Sequence, residues 1–121
     1  MAEEGIRLFN AGYFFEAHDA LEEVWIERTG REKTFYQGLI QVAAGLYKAG
    51  MLNQGGAVSL LRKGLAKLRA ASDLDTPLDL ERLIDETAAV VAELERRGQA
   101  GIAEFDSAGA PRIHRRPAPE S

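Results

Sequence analysis

A chain of 121 residues fits a single domain, and a hydrophobic fraction of 45% supports a core that needs no metal or disulfide staple. The formal net charge of −4, from acids scattered along the chain, excludes the strongly basic profile of a nucleic-acid binder. The absence of cysteine excludes disulfides and thiolate metal sites. No run approaches the roughly 20 apolar residues that span a bilayer, and the acidic start MAEEGIRLFNAG has no apolar signal core. A cytoplasmic protein with neither a membrane nor a nucleic-acid partner is expected.

The pattern predicts five helices. Glu3 to Asn10 carries Ile6 and Phe9 at helical spacing and stops at Ala11-Gly12, a C-terminal cap. Phe14 to Arg28 places Phe14, His18, Leu21 and Trp25 on one stripe and ends at Thr29-Gly30. Glu32 to Ala49 has two adjoining stripes, Phe35, Leu39, Val42, Leu46 and Tyr36, Ile40, Ala43, Tyr47, so it reads as a central helix covered on most sides. Asn53 to Ala71 turns Ala57, Leu60, Leu61, Leu65 and Leu68 inward and Arg62, Lys63, Lys67 and Arg69 outward. Gly55, Gly56 and Gly64 each weaken it by about 1 kcal/mol relative to alanine, a cost that close helix–helix approach offsets. After the turn-rich Ser72–Pro77, a last helix from about Asp79 to Arg97 presents Leu80, Leu83, Ile84, Ala88, Val91 and Leu94. From Ser107 the composition shifts to Gly, Pro, Arg and Ser, which predicts one helical domain over 1–106 and a disordered tail over 107–121, with Ile113 the residue able to dock.

An internal echo organises these helices. Leu8-Phe-Asn-Ala-Gly12 resembles Leu46-Tyr-Lys-Ala-Gly50, 38 residues on, and past a two-residue slip Ala17, Leu21 and Trp25 match Ala57, Leu61 and Leu65 at a spacing of 40. The fold expected is an all-α five-helix bundle of two antiparallel hairpins plus a closing helix. It is TPR-like in character, although two copies are too few for a solenoid.

The run Leu8-Phe-Asn-Ala-Gly-Tyr-Phe-Phe-Glu-Ala-His-Asp-Ala-Leu-Glu-Glu-Val-Trp25 resembles the signature of the family called domain of unknown function 309. Gln37-Gly-Leu-Ile-Gln41, Gly64-Leu-Ala-Lys-Leu68 and the late Pro-Arg-Ile are similar to its following segments, so the likeness covers roughly residues 5 to 113. It implies a small all-helical bacterial or archaeal domain without an established activity. By that match the positions of interest are Asn10, His18, Glu22, Trp25, Gln37 and Gln41.

His18, Leu21, Glu22 and Trp25 stand at i, i+3, i+4 and i+7, on one helix face. A histidine and a carboxylate one turn apart can ligate a metal or act as a base with its orienting partner. Zinc, however, wants three or four protein ligands, His114 lies far along the chain, and a third ligand would come from Glu16, Asp19 or Glu23, which point round the helix. The bland reading is a partly buried histidine satisfied by Glu22, Gln37 or Gln41. Trp25 reads as core or groove rim, the Arg62–Arg69 face as a solvated surface, and no nucleophile elbow or phosphate loop is present. The expected function is a non-catalytic binding or scaffolding domain. It would take a small polar ligand or a protein partner in the groove beside the His18–Trp25 face, with no cofactor and no metal. The alternative is a metal-dependent enzyme, a hydrolase for example, using His18 and Glu22.

Overall fold

The computed structural model describes residues 2–106 and 109–117. Its helices are α1 (Glu3–Asn10), α2 (Phe14–Ile26), α3 (Gly30–Gly50), α4 (Gln54–Ala70) and α5 (Leu80–Gly101), followed by a 3₁₀ turn at Ile102–Glu104. Each helix packs on the next, α1 on α2 through α4 on α5, with the most extensive contact between α3 and α4. Three-residue links between α1, α2, α3 and α4 favour antiparallel neighbours, and a longer link, 71–79, leads to α5. Among the described residues there is no strand, just an isolated antiparallel bridge between Leu78 and Arg115. The protein is an all-α bundle, as the periodicity predicts.

The first stripe of α3 is entirely in the core: Phe35, Leu39, Val42 and Leu46 are buried. Its second stripe is buried at Ile40 and Ala43, partly covered at Tyr36, and open at Tyr47, which is 37% exposed. Glycine decides how close α4 comes. A Cβ on Gly64 would lie 2.9 Å from the Gly38 carbonyl oxygen and 3.0 Å from the Val42 backbone nitrogen, atoms that cannot step aside. A Cβ on Gly45 would meet Leu61 Cγ at 2.7 Å and the Ala57 carbonyl oxygen at 3.1 Å. The close approach expected of the α4 glycines therefore belongs to Gly64. Gly55 faces open space, and Gly56 lies under the Asn53 side chain, which caps α4 by accepting from Gly56 N.

The echo has a geometric meaning. Both hairpins turn through one left-handed residue, Gly12 (φ 88°) and Leu52 (φ 61°), 40 positions apart. In both, the next N–H closes a long bond back into the helix, Tyr13 N to Leu8 O at 2.9 Å and Asn53 N to Lys48 O at 3.0 Å. This is the 6→1 bond of a Schellman-type C-cap. The slip arises because Ala49-Gly50 are the last two residues of α3, whereas Ala11-Gly12 lie past the end of α1, so the left-handed position falls on Leu52.

Two boundaries shift by a single half-turn. α2 stops at Ile26 rather than Arg28, where Glu27 N and Arg28 N bond to Val24 O and Trp25 O in a tightened last turn, and α3 begins at Gly30. α5 is regular as far as Arg97. Gly98 (φ 65°, ψ −173°) then breaks it, and the last turn swings Ile102 into the core.

The expected tail over 107–121 is corrected over 109–117, which packs against the bundle. Ile113 and Pro111 are buried. The Asn10 side chain grips Ile113 as a strand would, donating from Nδ2 to Ile113 O (2.8 Å) and accepting from Ile113 N at Oδ1 (2.7 Å). Asp79 N donates to His114 O and Arg116 N to Pro77 O, both at 2.7 Å. Glu86 accepts from Arg112 N at 3.0 Å and from Arg82 Nε at 2.8 Å, with His114 Nε2 4.0 Å away. Composition missed this strap because backbone groups hold it, and every residue type carries those. The rest of the expected tail lies outside the described residues.

The packing generates three expectations. Gly64→Ala should destabilise the fold by roughly 1–3 kcal/mol through overpacking, whereas Gly55→Ala should be neutral or stabilising by up to about 1 kcal/mol. Chemical denaturation separates the two. Removing residues 107–121, or Asn10→Ala, should lower stability by about 2 kcal/mol, since two hydrogen bonds and the Ile113 anchor are lost. Partial burial pushes the Glu86 carboxyl up, but the hydrogen bonds from Arg112 N and Arg82 and the Arg82 and His114 charges outweigh it, leaving the group below its ordinary value. Its stabilisation is thus present above about pH 4.5 and is lost as pH falls through the lowered folded value. The stability gap between wild type and Glu86→Gln should therefore close on acidification below that pH.

Candidate functional site

The α2–α3 seam is built by two matching periodicities. α2 supplies His18, Glu22 and Trp25. On α3, Lys33, Gln37, Gln41, Ala44 and Lys48 fall within an arc of about 80° at 100° per residue. Contacts at both ends show that this arc faces α2. Lys33 Nζ sits 4.5 Å from the Trp25 ring centroid at one end, and His18 shares a concavity with Ala44, Tyr47 and Lys48 at the other. Gln37 and Gln41 occupy the stretch between.

His18 is 29% exposed and has a carboxylate at each ring nitrogen, Asp19 Oδ1 3.3 Å from Nδ1 and Glu22 Oε1 3.4 Å from Nε2. Glu22 is a partner named from the sequence. Asp19 comes within reach because the two imidazole nitrogens lie on different edges of the ring, so a neighbour at i+1 meets one while i+4 meets the other. Ligand atoms of His18, Asp19 and Glu22 all lie within 4.8 Å of one another. All three come from a single turn of α2. Phe15 and Tyr47 close the concavity of about 220 Å³ beside His18, their ring centroids 5.3 Å apart at 54°.

Two polar groups on these helices are poorly matched. Trp25 Nε1, a donor, and Gln41 Oε1, an acceptor, are both buried without a hydrogen-bond partner. Around the Trp25 end, Arg28 pairs with Glu32 at 2.5 Å and lies over the Tyr36 ring at 5.9 Å. Burial, with Glu32 and Glu3 nearby, raises the Tyr36 hydroxyl above its usual range against the opposing pull of Arg28, so it stays protonated at neutral pH.

The six positions singled out in the sequence thus separate. His18, Glu22, Trp25, Gln37 and Gln41 share the seam. Asn10 stands apart as the clamp on Ile113. Asp19, named from the sequence as a candidate third ligand pointing round the helix, reaches His18, and Lys33, Phe15 and Tyr47 belong to the seam without having been singled out as site residues. Placing Lys33, Phe15 and Tyr47 needs the α2–α3 register.

The fold and seam define a small helical bundle with a polar, partly open interhelical groove. The family described as Domain of unknown function (DUF309) matches residues 2–60, about the first half of the chain. A relative, the Uncharacterized protein YpuF of Bacillus subtilis (strain 168), is 34% identical over 87 residues, which is 68% of this chain and 49% of YpuF. The chain therefore spans about half the length of that relative.

Seam geometry predicts opposite outcomes for two substitutions. His18→Ala should lose less than about 1 kcal/mol, because its partners are half-exposed and on its own helix. Gln41→Leu should gain about 1 kcal/mol by removing a buried acceptor that has no donor. A clear loss in Gln41→Leu, read by thermal or urea unfolding, would show the amide to be satisfied within the protein.

Proposed function

We propose that this protein is a non-catalytic, cytoplasmic binding domain whose α2–α3 seam takes a small polar ligand or the polar side chains of a protein partner. One observation carries the reading: Trp25 Nε1 and Gln41 Oε1, a donor and an acceptor, are buried unpartnered on the same seam. Leaving either group unsatisfied costs about 1–3 kcal/mol, which a ligand with one acceptor and one donor would recover on binding. His18, open at the end of the seam, offers a third polar contact, and Lys33 on Trp25 closes the other end. Nucleic acid and membrane fit this protein less well. Arg62 of the basic α4 face is paired with Glu95, and no helix among the described residues is long and apolar enough to cross a membrane.

The second reading is a metal-dependent hydrolase using His18 and Glu22, with Asp19 as the third ligand. The 4.8 Å grouping favours it. A ligand set from one helical turn, with no group from a second element among the described residues, gives little enclosure for a metal.

Trp25 is the single tryptophan, so its indole N–H gives one isolated NMR signal. In a thermal-shift screen of small polar compounds, binders should raise the melting temperature of wild type and move that signal. Gln41→Leu should abolish both responses despite being the more stable protein. Binders unaffected by Gln41→Leu would place the site elsewhere and defeat the proposal. Stoichiometric zinc, manganese or iron, lost in His18→Ala, would replace it with the hydrolase reading.

A further inference from the structure

The residues after Arg97 form an arm whose direction is set by one dihedral pair. Gly98 stands at φ 65°, ψ −173° inside α5, close to the mirror image of polyproline II, a region that glycine alone occupies without strain. The chain on either side of it is helical. Helical dihedrals at Gly98 would therefore carry α5 straight on and leave Ile102, 3% exposed in the kinked chain, off its place in the core. A Cβ on Gly98 would meet nothing within 4 Å, so no neighbour's bulk imposes the bend.

Two carboxamide clamps hold it instead. Just past the kink, Gln99 Nε2 donates to Leu52 O (2.6 Å) and Gln99 Oε1 accepts from Gln54 N (3.0 Å), so one amide spans the α3–α4 turn. Gln54 Nε2 in turn donates to Leu94 O, on the near side of the kink, at 3.3 Å. Farther along the arm, the Asn10 amide spans Ile113 in the same way. Between the clamps the arm is folded on itself, Phe105 N donating to Ile102 O and Gly109 N to Asp106 O. It buries few apolar side chains, chiefly Ile102, Pro111 and Ile113, and the Gln99 clamp lies in the open. Sparse buried contacts and solvent-exposed hydrogen bonds are what let a segment open without global unfolding.

We propose that Gly98 is a hinge, and that residues 99–106 and 109–117 open and close as one unit between the kinked state and a straight α5. In the closed state the arm supplies Ile102, Ala103, Phe105 and Ala110 to one side of a concavity of about 460 Å³, with Phe14 and Leu46 opposite. Opening removes that wall. It also frees the Asn10 amide, Pro77 O and Asp79 N, which hold Ile113, Arg116 and His114 when the arm is closed. The arm thus governs access to this part of the bundle, whatever the α2–α3 seam binds.

Amide hydrogen exchange of the full chain, followed by NMR across a urea series below the unfolding midpoint, tests this. The N–H groups of Gln54, Asp79, Ile113 and Arg116 each take part in a bond between arm and bundle. They should share one opening free energy and one denaturant slope, both smaller than those of core amides such as Leu39 and Leu61. Asn10→Ala should speed exchange at all of them by about tenfold, Gln54 included, although Gln54 bonds to Gln99 and not to the Asn10 clamp. Gln99→Ala should carry the same effect the other way along the arm, to Ile113. Gly98→Ala disfavours the kinked dihedrals and favours the helix, so it should speed exchange on the order of a hundredfold while the core amides keep their protection. The wild-type pattern and the Asn10→Ala coupling need no change at the hinge, so a poorly folded Gly98→Ala chain leaves the test intact. Exchange at Gln54 that ignores Asn10→Ala overturns the proposal, because the strap then opens alone. Exchange of the arm amides only at the global rate overturns it too, as does protection at Ile113 that survives Gly98→Ala.

Discussion

The backbone-to-backbone approach of α3 and α4 is the constraint on which the other elements depend. With Gly64 seated on the Gly38 carbonyl and Gly45 against Leu61 and Ala57, the two helices lie closer than side chains would allow. Leu61, Leu68, Leu39 and Val42 are thereby brought to complete burial around the contact. Dispersion grows steeply with such proximity, and the propensity lost at each glycine is small beside it. Once this pair is rigid, α2 and α5 have fixed surfaces to pack on, and the remaining segments follow.

α3 divides its work by helical phase. One face carries glycine and small apolar residues toward α4. A second, Lys33 through Lys48, carries polar groups toward α2. Its last turn pushes Tyr47 beyond the cover of its neighbours. Polar groups are tolerated on the α2 side because α2 is short: it begins at Phe14 and ends at Ile26, so the seam is open at the His18 end. Trp25 Nε1 and Gln41 Oε1, on these two helices, are buried without a hydrogen-bond partner.

The C-terminal strap illustrates a different economy. Residues 109–117 bring few apolar side chains, yet Ile113 and Pro111 are as buried as the helical core. Their docking rests on backbone groups paired with Asn10, Glu86, Pro77 and Asp79. Asn10 suits this work because a carboxamide reproduces the donor and acceptor of a neighbouring strand. Its place at the end of α1 ties the first helix to the last segment and closes the bundle across the whole chain.

The sequence by itself determined the helices, most of the core and the turns. Apolar residues at three- and four-residue spacing, with Gly and Asn at the caps, are local signals, and local geometry makes Leu39, Leu61 and Leu68 inward whatever packs on them. It also determined that His18 and Glu22 meet, since i and i+4 are neighbours on any helix. What only the tertiary structure decided depends on register between elements: Lys33 on Trp25, Phe15 on Tyr47, Gly64 on Gly38, and Asn10 on Ile113, 103 residues away. Gln41 reads as a satisfied amide in sequence because glutamine is usually satisfied. Its isolation appears only when α2 is placed against α3, because a hydrogen bond needs a partner within about 3 Å, and periodicity specifies a face without specifying what stands opposite.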